Sequence, residues 1–181
     1  MRHVALVGFM AAGKSTVGRL VADELDLPFV DTDAMIVEEH GEIAEIFARE
    51  GQARFREFEY AVVARALAGP VAVIALGGGA VTHSATHGLL GESSALRVYM
   101  RVEPETILRR VRRSKDVRPV LGSTPTLERI RELLAAREPL YHEAEIHVHG
   151  DGRTPRRYAS EIAEAIRSWE AALAVQESNL R

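Results

Sequence analysis

The chain has 181 residues, no cysteine, 46% hydrophobic residues and a formal net charge of −3. That length suits one well-buried domain spanning 1–181 and is short for the multidomain build of a motor ATPase. Without cysteine there are no disulfides, thiolate-bound metals or thiol catalysis, and the acidic balance means that anions must be drawn by arginines focused at one place.

Residues 4–7 form an apolar run of strand length. Directly after it comes Gly8-Phe-Met-Ala-Ala-Gly13-Lys14-Ser15, the G-x-x-x-x-G-K-[ST] pattern of a phosphate-binding loop. Val17, Leu20, Val21 and Leu25 then recur at helical spacing over 14–25. Strand, loop and helix in that order allow backbone N–H groups to turn around phosphate oxygens while the helix points its positive end at them. Ala11, Ala12, Gly13, Lys14, Ser15 and Thr16 are therefore expected to contact a nucleotide, with Lys14 bridging the β- and γ-phosphates and the Ser15 hydroxyl serving Mg²⁺.

Further apolar runs at 28–30, 71–76, 96–100 and 146–148 alternate with helical patterns at 34–40, 43–50, 52–67, 104–113, 127–137 and 155 to about 175. This alternation predicts a three-layer α/β/α fold on a five-stranded parallel sheet. Ala159, Ile162, Ile166 and Trp169 share one helix face, and the chain from Gln176 is expected to fray. Residues 114–126 lack periodicity and read as part of a mobile lid over about 112–126.

Several polar groups stand where chemistry would need them. Asp31-Thr32-Asp33 follows the second strand, and in extended backbone both carboxylates would leave the sheet edge together. Asp31 suits a Mg²⁺ shell and Asp33 an acceptor hydroxyl, the alternative being helix capping. Gly77-Gly78-Gly79 ends a buried strand with bare backbone, which suits close approach of a substrate; a flexible turn is the other reading. Arg56 and Glu59 stand at i and i+3 and form either an ordinary surface pair or an arginine held for a carboxylate.

The basic stretch 109–118 suggests nucleic acid at first sight, yet no aromatics interleave. Arginines on a flap over a phosphate loop have a nearer use on transferring phosphoryl charge, Arg118 above all. Arg137 near a helix end is also explained as a complement to the helix dipole. His147 and His149 share a strand face and suggest a metal, but no third ligand is in view.

As a set, the phosphate loop, Asp31-Thr-Asp33, Phe47-Ala-x-x-Gly51-x-x-x-Phe55-Arg56-x-x-Glu59, Leu76-Gly-Gly-Gly79, Arg118-Pro119 and Arg137-x-Pro139-Leu140-Tyr141 resemble the shikimate kinases, a family of the nucleoside-monophosphate-kinase-like group. The resemblance covers most of the chain. It implies a P-loop kinase fold and transfer of the ATP γ-phosphoryl group to the 3-hydroxyl of shikimate, giving shikimate 3-phosphate and ADP on the route to chorismate and the aromatic amino acids. It further implies that Arg56 and Arg137 clamp the substrate carboxylate, and that Asp33, Gly78 and Gly79 bind ring hydroxyls within a substrate-binding region of about 33–60. Lys14 and Arg118 would neutralise the moving phosphoryl group, and Ser15 and Asp31 would serve Mg²⁺.

By the same resemblance, adenine lies between Arg110 and the Arg153-Thr154-Pro155 turn. The stretch from Arg110 to Arg118 is one residue longer than usual in the family, which leaves Arg109 as an alternative to Arg110, and Gly41-Glu42-Ile43 is one residue short. A monomeric, cytoplasmic enzyme with small-molecule substrates, touching neither membrane nor nucleic acid, is the expectation. From the residues alone, a sugar-acid kinase acting on gluconate is the nearest rival. A GTPase switch is not, because the sole asparagine, Asn179, leaves no N-K-x-D motif.

Overall fold

All four residues of β1 (Val4–Val7) are buried, and their side chains alternate between the two faces of a sheet. In the computed structural model, which describes residues 1–114, 118–122 and 124–179, Val4 and Leu6 pack with Val17 and Val21 of α1 (Lys14–Leu25) and with Ile162 and Ile166 of α7 (Pro155–Asn179). Ala5 and Val7 pack on the other side with Val63 of α3 (Ile43–Ala68), Ile107 of α5 (Pro104–Arg113) and Ile130 of α6 (Leu127–Tyr141). A strand apolar on both faces is what a parallel sheet covered by helices requires. The three-layer α/β/α arrangement follows from that pattern.

The other strands are β2 (Phe29–Asp31), β3 (Val73–Ala75), β4 (Leu96–Arg101) and β5 (Ile146–His149). Among the described residues they form one parallel five-stranded sheet in the order β2-β3-β1-β4-β5, with Val4 opposite Val73 on one side and Leu96 on the other. The first strand thus lies at the centre, where connections leave in opposite directions and a crevice opens beyond the carboxyl ends. α2 (Thr32–His40) and α3 close over one end of that crevice on a smaller core of Ile36, Ile46, Phe55 and Val62. No helix of the described residues is long and apolar enough to cross a membrane.

The helices expected at 43–50 and 52–67 are continuous in hydrogen bonding but kinked at Gly51, whose φ of 81° and ψ of 173° leave the helical region. α4 (Ser84–Glu92) has no counterpart in the sequence reading. Its only buried residues are Thr86 and Leu90, and glycines at 88 and 91 dilute the periodic signal. α6 continues past Arg137 through Pro139 to Tyr141, held by buried contacts of those two end residues rather than by propensity. α7 runs to Asn179 instead of fraying from Gln176. The strand expected from 71 starts at Val73, leaving Val71 exposed after the Gly69-Pro70 turn.

Within the expected lid, 112–126, residues 115–117 and 123 lie outside the described residues. The rest contains a single 3₁₀ turn, Pro119–Leu121, whose Leu121 is buried in the main core.

Candidate active site

A cavity of about 1120 Å³ opens over the carboxyl ends of the strands. Its residues arrive from opposite ends of the sheet. The side above β2 and β3 carries Asp33, Phe47, Arg56, Glu59 and the glycines 77–79, and Arg137 of α6 reaches in among them. The side towards β4 and β5 carries Arg110, Arg153, Pro155 and Tyr158, and the phosphate loop lies between.

The loop takes its shape from Gly13, which precedes α1 at φ 100°, and from Ala11, a non-glycine residue held at φ 59°. Lys14 folds back across it, donating from Nζ to Gly8 O at 2.8 Å and Phe9 O at 2.9 Å. Burial lowers its amine to about 8, opposed by the carboxylates of Asp33 and Asp31 and reinforced by the cations Arg118 and Arg137. Ser15 and Thr16 border the same cavity on the first turn of α1.

Asp31 ends β2 and caps α2, its Oδ1 accepting from the N–H of Asp33 at 3.0 Å and of Ala34 at 3.3 Å. Capping and cavity lining therefore hold together for this residue. Asp33 lies within the first turn of α2, so the two carboxylates do not share an extended strand as the spacing suggested. What brings Asp33 to the glycines is Thr32, fully buried, which donates to Ala75 O and accepts from the Gly77 N–H, both at 3.2 Å. Burial raises the Asp33 carboxyl, with Lys14 the main opposing influence.

Arg56 and Glu59 are a buried ion pair, 8% and 0% exposed, which removes the surface reading. Burial pushes Glu59 up to about 6 against the pull of Arg56. One Glu59 oxygen holds Arg56; the other, Oε1, is buried with no hydrogen-bond partner among the described residues. A Cβ on Gly77 would lie 2.4 Å from that oxygen and 2.8 Å from Asp33 Oδ1, so two carboxylates converge on one bare α-carbon. Gly78 is pressed against the loop, where a Cβ would come 2.6 Å from Met10 N, and Gly79 against Arg56, 2.2 Å from Nη2. The triple glycine is thus demanded first by the protein's own close approaches.

Arg137 is 6% exposed, donates to Gly78 O at 3.2 Å and lies over the Phe9 ring at 5.3 Å from its centroid. A dipole complement at an exposed helix end would not be buried in this way. Arg110 donates to the carbonyls of Ala11 at 3.0 Å and Ala12 at 2.9 Å, whereas Arg109 is exposed and bonds Thr106. Of the two, Arg110 is the one at the cavity. Arg153 pairs with Glu161 and donates to Asp151 O, and Arg118 borders the cavity with Pro119. Glu42 and Ile43 of the shortened stretch border it too. His147 donates from Nε2 to Ala144 O at 2.9 Å and packs edge-on to Tyr99, away from the cavity lining.

Sequence reasoning missed Thr32, Val37, Gly150 and Tyr158. Val37 follows Asp33 at i+4, a signal that one helix face borders the site, whereas Gly150 is small because Tyr158 fills its place, with 2.5 Å from a Cβ there to Cε1.

The shikimate kinase family model matches residues 10–167. A shikimate kinase of Moorella thermoacetica is 44% identical over 168 residues, covering 92% of this chain and 95% of that protein. The solved shikimate kinase of Acinetobacter baumannii in complex with shikimate superposes with a TM-score of 0.87 at 35% identity, covering 93% of this chain and 94% of that one. A gluconokinase from Sinorhizobium meliloti shares the fold, with a TM-score of 0.58 at 17% identity. The chain belongs to the shikimate kinase family.

Proposed function

We propose that this chain transfers the γ-phosphoryl group of ATP to the 3-hydroxyl of shikimate, releasing shikimate 3-phosphate and ADP. The observation that carries this reading is the convergence of Arg56, Arg137 and Asp33 with Lys14 on one cavity of an acidic protein. Two buried guanidinium groups call for a carboxylate, and a buried carboxylate beside a phosphate loop calls for a hydroxyl. Membership of the family supplies the name of the acceptor.

In this reading Arg56 and Arg137 clamp the substrate carboxylate, while Asp33, Gly78 and Gly79 take its hydroxyls. Asp33 stands against the attacking 3-hydroxyl, and its raised pKa moves the carboxyl towards the range in which it accepts a proton effectively. Glu59 Oε1, without a hydrogen-bond partner among the described residues, supplies a second acceptor beside it. Ala11, Ala12, Gly13, Lys14, Ser15 and Thr16 cradle the phosphates. Lys14 exchanges its two loop carbonyls for phosphate oxygens, and with Arg118 offsets the charge that develops on the moving group. Arg110 with Arg153 and Pro155 frames adenine.

Ser15 and Asp31 fit a magnesium ion, being hard oxygen donors on one cavity, with Asp31 Oδ2 left over after Oδ1 has capped α2. Bound there, Mg²⁺ would supply charge neutralisation to the triphosphate. The protein is expected to act in the cytoplasm as a monomer on its two small substrates, with no membrane or nucleic acid involved.

The test is a substrate panel with ATP and Mg²⁺. ADP release that requires shikimate supports the reading; phosphorylation of gluconate with shikimate untouched overturns it.

A further inference from the structure

Two buried side chains of α6 meet at one acceptor. Arg137 Nη1 donates to Gly78 O, and the hydroxyl of Tyr141, one helical turn later, donates to the same oxygen. A carbonyl has two lone pairs, so both bonds are satisfied at once. Tyr141 is 1% exposed and its ring stacks on Tyr99 of β4 with centroids 5.1 Å apart. Burial pushes its hydroxyl up to about 12, so it remains a donor across the working pH range. On its other side Gly78 abuts the backbone of Met10. A glycine peptide is the least self-constrained of all, so its carbonyl direction depends on such external bonds.

We infer that Tyr141 is a positioning residue for the acceptor: by pinning the Gly78 carbonyl, its hydroxyl fixes the anchor from which the Arg137 guanidinium reaches the substrate carboxylate. Tyr141 touches no reacting atom. The inference rests on the assignment of Arg137 to the carboxylate under the proposed function. The competing account is that the hydroxyl merely secures the last turn of α6 beyond Pro139.

Tyr141→Phe keeps the ring and its stack and removes one donor. Its KM for shikimate should rise about 5- to 10-fold, with kcat and the KM for ATP within about 2-fold of wild type. In an Arg137→Ala background the same substitution should add less than about 2-fold, because the group being positioned is gone. Tyr141→Leu, which also removes the stack, serves as the comparison for packing and should lower the melting temperature more than Phe does. An unchanged shikimate KM in Tyr141→Phe, a parallel rise in both KM values, or the full factor surviving in the Arg137→Ala background overturns the inference. A wild-type protein that leaves shikimate untouched sinks the proposed function instead, so the two failures are distinguishable.

Discussion

Gly79→Ala adds one methyl at a backbone that accepts it conformationally, since φ there is −119°. The added Cβ would lie 2.2 Å from Arg56 Nη2, 3.0 Å from Cζ and 3.2 Å from Nη1. To reach ordinary contact near 3.4 Å the guanidinium must retreat by about 1.2 Å. It has little room: Arg56 is 8% exposed, ion-paired to Glu59 and set beside the Phe55 ring at 5.4 Å. On the proposed reading, a displaced fork loses one of its two parallel bonds to the substrate carboxylate, and a charge-assisted bond contributes about 1.5–3 kcal/mol. At about 1.4 kcal/mol per decade, the KM for shikimate should rise about 10- to 150-fold while the KM for ATP stays within about 2-fold. Gly78→Ala gives the contrast, because its methyl meets the backbone of Met10, which cannot swing aside. That variant should lose melting temperature and raise the KM for ATP as well. ADP formation coupled to NADH oxidation, with each substrate varied in turn, reads both constants. A wild-type shikimate KM in Gly79→Ala would refute the reasoning.

Lys14→Ala should lower kcat by at least about 100-fold with a much smaller change in shikimate affinity, because the charge matters most as phosphoryl charge redistributes; calorimetric titration of shikimate checks the second half. In the free enzyme, kcat/KM for ATP should fall as pH rises through about 8, where Lys14 loses its proton. With ATP bound, phosphate charge favours the protonated amine, so the same limb in kcat should move to higher pH. On the acid side, kcat/KM for shikimate should fall as pH drops through about 6, where Glu59 is protonated and releases its hold on Arg56. A flat profile over pH 5.5–9 would contradict both assignments. Arg110→Ala frees the carbonyls of Ala11 and Ala12 and should raise the KM for ATP about 5- to 50-fold, leaving that for shikimate nearly unchanged.

Much of the molecule was readable from the chain alone wherever the information is local. The phosphate loop and α1 follow from a motif and a 3.6-residue period, and the five apolar runs place all five strands in their helical alternation. The candidate residues were found because a few arginines, aspartates and bare glycines stand out from their surroundings. Their relations were not legible, because they join residues far apart in sequence. Nothing local says that Arg56 and Glu59 are buried rather than exposed, since an i, i+3 pair looks the same in both settings. Asp33 reaches Gly77 only because Thr32 ties α2 to the end of β3 across 43 residues, and Arg110 is chosen over Arg109 by which side of α5 faces the loop. α4 escaped notice because its glycines weaken the period, and α6 outran its expected end because burial of Arg137 and Tyr141 outweighs the proline between them. Sequence determined which groups this protein carries and the elements that bear them; packing of those elements against one sheet decided which groups meet, because burial and distance are properties of the folded chain and not of any stretch of it.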